Sequence, residues 1–205
     1  MPRKIARPAV IPGICALGLF FAAQAARADA TGGSREPVPI DACALLQRSE
    51  IARSIGAPVG EPARHDAGLE SNGSYSSSCV WEIRAANPRP ASPDAPLGGK
   101  SFVILNAVQW PAGSGRAHLF LDSFRQAAEN GDIPGKVSPR SAGDDALWWG
   151  DGLAVRRYDV SFGLSVFFPL SRLNRTGLLE ERLAPLILRR IDARQTKLTP
   201  QGSTK

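Results

Sequence analysis

The sequence predicts an α+β fold: a single domain whose antiparallel sheet ends in a C-terminal meander and is packed by two or three helices. Three observations carry this. Residues 160–168 alternate without a break. Val160, Phe162, Leu164, Val166 and Phe168 fall on one face, and Ser161, Gly163 and Ser165 on the other, the period of a half-buried strand. Upstream, Ala146 to Trp149 and Leu153 to Arg157 read as two more strands, linked by Gly150-Asp151-Gly152 and followed by a tight turn near Tyr158-Asp159. From about Gly177 to Ala193 the period changes. Leu179, Leu183, Leu186, Ile187 and Ile191 recur three and four apart, an amphipathic stripe that should lie on the sheet.

The chain opens with an export signal. Arg3, Lys4 and Arg7 precede an apolar run from Ala9 to Ala23, and three A-x-A patterns, Ala23-Gln24-Ala25, Ala26-Arg27-Ala28 and Ala28-Asp29-Ala30, close it. Charge, apolar core and small-residue exit are the order of a Sec-type signal peptide over residues 1–30. Pro12, Gly13 and Gly18 interrupt the run, which falls short of the roughly 20 apolar residues of a membrane span. The alternative is an uncleaved anchor helix. Cys15 lies inside the apolar run, after Pro12-Gly13-Ile14, and so does not sit in a lipobox. After cleavage no transmembrane segment is expected, and localisation is periplasmic or secreted.

Residues 31–39 read as a flexible leader, 40–195 as the domain and 196–205 as a disordered tail. The whole chain carries +6; without residues 1–30, 21 basic side chains face 18 acidic ones, a net +3. That balance argues against nucleic acid as a partner.

Within the domain, Asp41 can cap a short helix through Leu45 and Leu46. Ser49 is placed as a second N-cap, with Glu50 in the first turn, Gly56 as the stop and Pro58 beyond it. Ile51 and Ile55 should face the core. Residues 60–77 are rich in Gly, Ser and charge and read as a long loop. Cys79 to Ile83 has strand composition. Residues 86–99, with four prolines and two glycines, read as an exposed linker. Ser101 to Trp110 is a strong strand whose near-continuous apolar run predicts burial on both faces over part of its length. Residues 115–129 return to helical spacing, with Leu119, Phe120, Phe124, Ala127 and Ala128 as the stripe and Asn130-Gly131 as the end. In the last helix Glu180 and Glu181 near the start, and Arg189, Arg190 and Arg194 near the end, complement the helix dipole. Pro185 should kink or weaken it.

Two cysteines remain after cleavage, Cys43 and Cys79, enclosing 35 residues. An even count in an exported chain predicts a disulfide. Free or metal-bound thiols are the alternative, and no histidine pair stands nearby to complete a metal site.

Several short runs carry a family resemblance: Asp41-Ala42-Cys43-Ala44-Leu45-Leu46, Glu50-Ile51, Ile55-Gly56-Ala57-Pro58-Val59, Ser78-Cys79-Val80-Trp81 and Gly143-Asp144-Asp145-Ala146-Leu147-Trp148. The chain resembles a broad group of small bacterial envelope proteins, among them a domain of unknown function common in actinobacterial lipoproteins. The resemblance spans roughly residues 40–192. It implies a helix-strand-strand-helix-meander-helix domain with its two cysteines bridged, and no activity that would transfer. Unlike those lipoproteins, this chain lacks a lipobox.

Chemistry-bearing residues are sparse. His65, in the expected loop, and His118, at a helix start, are the histidines available to a hydrolase-like periplasmic enzyme. Neither has a nucleophile motif beside it, so no catalytic residues are assigned. Asp144, Asp145, Asp151 and Asp159 do not follow a calcium-loop spacing and read as turn formers. No metal and no cofactor is expected. Trp148 and Trp149 are adjacent in a strand and must point to opposite faces. An exposed indole beside Arg156 or Arg157 makes a binding surface, so Trp149, Trp110, Arg156 and Arg157 are the candidate ligand-binding residues. The competing reading packs the second indole under a loop or helix, with the arginines on a solvated face. The sequence thus favours a non-catalytic binding or accessory module of the cell envelope. It would engage a protein or small molecule through a sheet face or the groove beside the last helix.

Overall fold

A computed structural model describes residues 39–84, 101–133, 136–168 and 178–198. The expected signal peptide, the linker 86–99 and the end of the tail lie outside these residues. The elements are α1 (Ala42–Leu45), α2 (Arg48–Ile55), β1 (Val59–Leu69), β2 (Tyr75–Ile83), β3 (Phe102–Gln109), α3 (His118–Asn130), β4 (Ser138–Pro139), β5 (Asp145–Trp148), β6 (Leu153–Arg157), β7 (Val160–Phe167) and α4 (Leu178–Leu198). The α+β expectation holds, with four helices, the first a single turn.

The seven strands form one antiparallel sheet in the order β1-β2-β3-β7-β6-β5-β4. Two meanders, β1–β3 and β4–β7, meet through β3 and β7, paired from Phe102↔Phe167 to Gln109↔Val160. Helices α1, α2 and α4 cover one face. Trp81, Leu105, Phe162 and Leu164 point to that side and pack with Ile40, Leu46, Ile51, Leu183 and Ile187, all fully buried. Each such side chain contributes about 1.5–3 kcal/mol. The alternation read in β7 sets this side, and the α4 stripe Leu179, Leu183, Ile187 and Ile191 meets it. Helix α3 lies on the opposite face over β5, β6 and β7. There Leu121, Leu147 and Ala154 are buried beside Phe120, Phe124, Val137 and Trp149.

Cys43 and Cys79 are bridged, with Cα atoms 5.1 Å apart, tying α1 to the centre of β2. Asp41 caps α1 as expected, its Oδ1 accepting the Cys43 N–H at 2.9 Å. The opening of α2 departs from expectation. Its cap is Gln47 rather than Ser49, and the Gln47 N–H donates to Glu50 Oε2 at 2.9 Å, which places Glu50 as the reciprocal partner of a capping box. Gly56 ends the helix at φ 74°, a conformation glycine adopts without penalty.

The largest departure is β1. Residues 60–77, expected as a loop, hold most of an eleven-residue strand and the first residues of β2. β1 is the sheet's edge, exposed along most of its length, so no side of it needs an apolar alternation. Pro62 sits where the register shifts between Val59 and Pro62, a place where a missing N–H is tolerated. In α3 the buried side chain is Leu121, and Leu119 of the expected stripe is 41% exposed. Of the two glutamates at the start of α4, Glu181 is exposed and paired with Arg140, whereas Glu180 is buried. α4 runs through Pro185 and on to Leu198, past the expected tail boundary.

Candidate functional site

Among the described residues, the α3 side of the sheet is covered in only one of its halves. Strand parity places Gly163 and Ser165 of β7, Ala154 of β6 and Leu147 of β5 on this face. Small residues there let α3 come close. A Cβ on Gly163 would lie 3.3 Å from Phe120 Cζ, and one on Gly152 would collide with the Trp149 ring and Ser165 Oγ. Trp149 lies in that space and stacks on Phe124, with centroids 4.4 Å apart and planes at 21°. Phe120 meets Phe124 edge-on at 5.4 Å. These three rings form a wall along the middle of the face.

Beyond the wall, β1, β2 and β3 carry no described helix on this face. The register lines up Val80↔Ile104, Ser78↔Asn106 and Ser76↔Val108 between β2 and β3, and sets His65 of β1 opposite Ser78. Phe102 pairs with Phe167, their rings 4.7 Å apart. Val80, Ile104, Phe102 and Phe167 are half-buried, while Asn106 and His65 are exposed. The Ser78 hydroxyl donates to Asn106 Oδ1 at 2.6 Å. The open half is therefore an apolar end beside a polar band, with an aromatic wall at its inner edge.

The four sequence candidates do not form one site. Trp148 points into the main core and Trp149 to the α3 face, as alternation requires. Trp149 packs under α3, stacked on Phe124, instead of standing free. Arg156 and Arg157 lie at the other end of the β5–β6 hairpin, since Trp148 pairs with Leu153 whereas Asp145 pairs with Arg156. Trp110 is buried. Its indole N–H donates to Ser161 Oγ at 3.2 Å, and that hydroxyl donates to the Ala117 carbonyl at 2.6 Å, which pins the start of α3 to β7. The Arg116 guanidinium lies 5.8 Å from the Trp110 ring centre.

Arg157 is engaged within the protein. It donates to Asp192 at 2.8 Å, to Asp144 at 2.9 Å and to the Tyr158 hydroxyl at 3.0 Å, and these partners raise its pKa above the ordinary arginine value. Asp144 also accepts the Tyr158 N–H at 2.8 Å and lies 3.6 Å from Arg156. This cluster holds Tyr158 at φ 56° in the β6–β7 turn, a conformation that costs a non-glycine residue about 1–2 kcal/mol. The turn reading of Asp144 thus has a concrete form. Asp159 serves similarly, its Oδ2 accepting the Gly113 N–H at 3.2 Å.

Neither histidine is hydrogen-bonded to a serine among the described residues. His65 faces Ser78 across the strand pair, but the Ser78 proton goes to Asn106. His118 Nδ1 contacts the Gly115 carbonyl at 2.7 Å, and Nε2 lies 3.7 Å from Asp122. Among the described residues no group of three or more His, Cys, Asp or Glu side chains is placed to hold a metal ion.

A groove beside the last helix also exists, a cleft of about 590 Å³ between α4 and the β4–β5 loop. Pro139, Arg140, Ala142, Glu181, Pro185 and Leu188 line it, and Arg140 Nε closes on Glu181 at 2.7 Å. A second cleft, of about 550 Å³, lies between α3 and β4–β5, with Arg125 inside it tied to Asp122 and Asp145. Neither cleft is lined by the tryptophans or by Arg156 and Arg157. Among the described residues no helix is long and apolar enough to cross a membrane. Sequence reasoning missed the open half because its polar band depends on β1, which composition hides. Comparison of the chain with protein-family models, curated proteins and solved structures finds no match.

Proposed function

We propose that this chain is an exported, non-catalytic binding module that engages a protein partner in the cell envelope through the open half of its sheet. One observation carries the reading. Among the described residues the sheet is covered on one face by three helices and on the other by a single helix over β5–β7, with Val80, Ile104, Phe102 and Phe167 half-exposed in one patch. Three strands about 4.8 Å apart and about eight residues long present roughly 400 Å². That area, apolar at one end and polar at the other, is within the range of functional surface patches and small for an obligate interface, which favours a transient partner. The bridged cysteines and the signal-like N-terminus support an oxidising compartment outside the cytoplasm.

The test is photo-crosslinking in the periplasm of the native cell. A crosslinker replaces Asn106 on the open half, Arg53 on the opposite side in α2, or Gln126 on the outside of α3. A defined adduct from position 106 alone, lost when Ile104→Glu is added, is the expected result. Adducts of equal yield from all three positions, or none from 106, would sink the proposal. The mass of the periplasmic protein checks export: cleavage after residue 25, 28 or 30 is expected, and a full-length mass would rule out a removable signal.

A further inference from the structure

Glu180 lies in the first turn of α4 and is fully buried, at 0% exposure. The pairing of β6 with β7 ends at Leu153↔Leu164. Val166 is two residues further along β7, at the same parity, and among the described residues no strand lies on that side to receive its N–H. Glu180 Oε1 takes it instead, at 2.9 Å. The carboxyl group thus stands in for the missing strand and fastens α4 to the bare edge of β7. Its other oxygen, Oε2, is buried with no hydrogen-bond partner.

No cation faces this carboxyl from the described elements packed on α4. β7 has no titratable side chain, and α1 has only the bridged Cys43. On α2, Arg48 pairs with Glu61, Glu50 pairs with Arg190, and Arg53 is exposed. On β6, Arg156 and Arg157 are drawn to Asp144. On α4 itself, Arg182 reaches the Ser54 carbonyl, and the neighbouring Glu181 is held by Arg140. A carboxylate sealed here would have one backbone N–H and its own helix amide to stabilise it, against the cost of losing water.

We infer that Glu180 is a proton-operated clip: neutral, it stays sealed between α4 and β7, and ionised, its need for water outweighs the stronger bond to the Val166 amide and favours an open, hydrated state in which that amide is exposed. Burial, with a smaller push from Glu181, raises its pKa to about 7. The folded value therefore lies above the unfolded one, so the clip's contribution to stability is complete below about pH 4.5 and disappears as pH rises through 7. Each unit of separation between the two values is worth a factor of ten.

The experiment follows backbone amide exchange at Val166, corrected for the intrinsic rate, together with Tm, from pH 5 to pH 8. Wild type, Glu180→Gln and Glu181→Gln are compared. Wild type and Glu181→Gln are expected to lose up to about a hundredfold in Val166 protection over this range, and Tm should fall with it. Glu180→Gln, neutral at every pH, should show neither change. A Val166 protection that is flat in wild type, or that still falls in Glu180→Gln, would overturn the inference. A carbon-13 titration of the Glu180 carboxyl in the wild-type protein keeps the question open to a decision should the Gln variant not fold. A midpoint near the ordinary 4.5 rejects the clip, and one near 7 supports it.

Discussion

The two faces of this sheet are cut from the same seven strands and finished in opposite ways. Toward α1, α2 and α4 every central strand presents large apolar groups, such as Trp81 on β2, Leu105 on β3 and Phe162 on β7, all at 0% exposure. Toward α3 the central residues are small where the helix sits, with Gly163 and Ala154 beneath Phe120 and Leu121. They are medium-sized and half-buried across β2 and β3, where Val80 and Ile104 stand with no described helix over them. The first face is filled from both sides, sheet and helix. The second is filled from the helix side in one half and, among the described residues, left unfilled in the other. The sheet alone therefore does not fix which surface is core. The size of the residue at each register position decides where a helix can lie down.

The largest effects should come from the filled face. Trp81→Ala removes a fully buried indole beside the Cys43–Cys79 bridge. A loss of about 3–5 kcal/mol is expected from denaturant unfolding under oxidising conditions. Breaking the bridge with Cys43→Ala and Cys79→Ala together should cost about 3–4 kcal/mol through the freed unfolded chain. If either change costs less than about 1 kcal/mol, the contrast between the faces is not energetic. The half covered by α3 comes next. Gly152→Ala drives a methyl group into Trp149 and Ser165, and overpacking of this kind costs about 1–3 kcal/mol. Trp149→Phe in the same chain should recover part of that loss. Equal effects in the single and double variants would mean the indole is not what fills the space.

The elements legible in the sequence are those whose two sides differ in side-chain size or polarity. β7 and α4 each keep one period along their length, α4 because it packs on a single layer and β7 because large apolar groups face α4 while small Ser and Gly residues face α3. β1 was illegible for the complementary reason. As an edge strand exposed on both faces, Val59–Leu69 has nothing to alternate against. With β1 hidden, the row His65, Ser78 and Asn106 could not be assembled, since it exists only through strand register. Trp149 was half legible. Alternation split it from Trp148, and the four-residue spacing of Phe120 and Phe124 was the available hint of an aromatic partner on α3. Glu180 could have been read from its own stripe. Ala184, Ile187 and Ile191 follow it at helical spacing and are buried with it, but a glutamate at a helix start is ordinarily satisfied by dipole and water.

The smallest expected effect on stability sharpens the comparison most. Ile104→Ser, on the open half, removes a half-buried side chain whose cross-strand partner is Val80. On the covered face a similar truncation would leave a cavity. Here water already reaches the site, so the lost transfer energy is partial and no cavity term follows. The cost should stay within about 1 kcal/mol by denaturant unfolding, against about 2–5 kcal/mol for Leu183→Ala on the covered face. An Ile104→Ser variant as stable as wild type that also loses the position-106 crosslink would separate recognition from folding at a single residue. A cost of several kcal/mol would mean that Ile104 is packed as tightly as Leu105 beside it, and the open half would then be core.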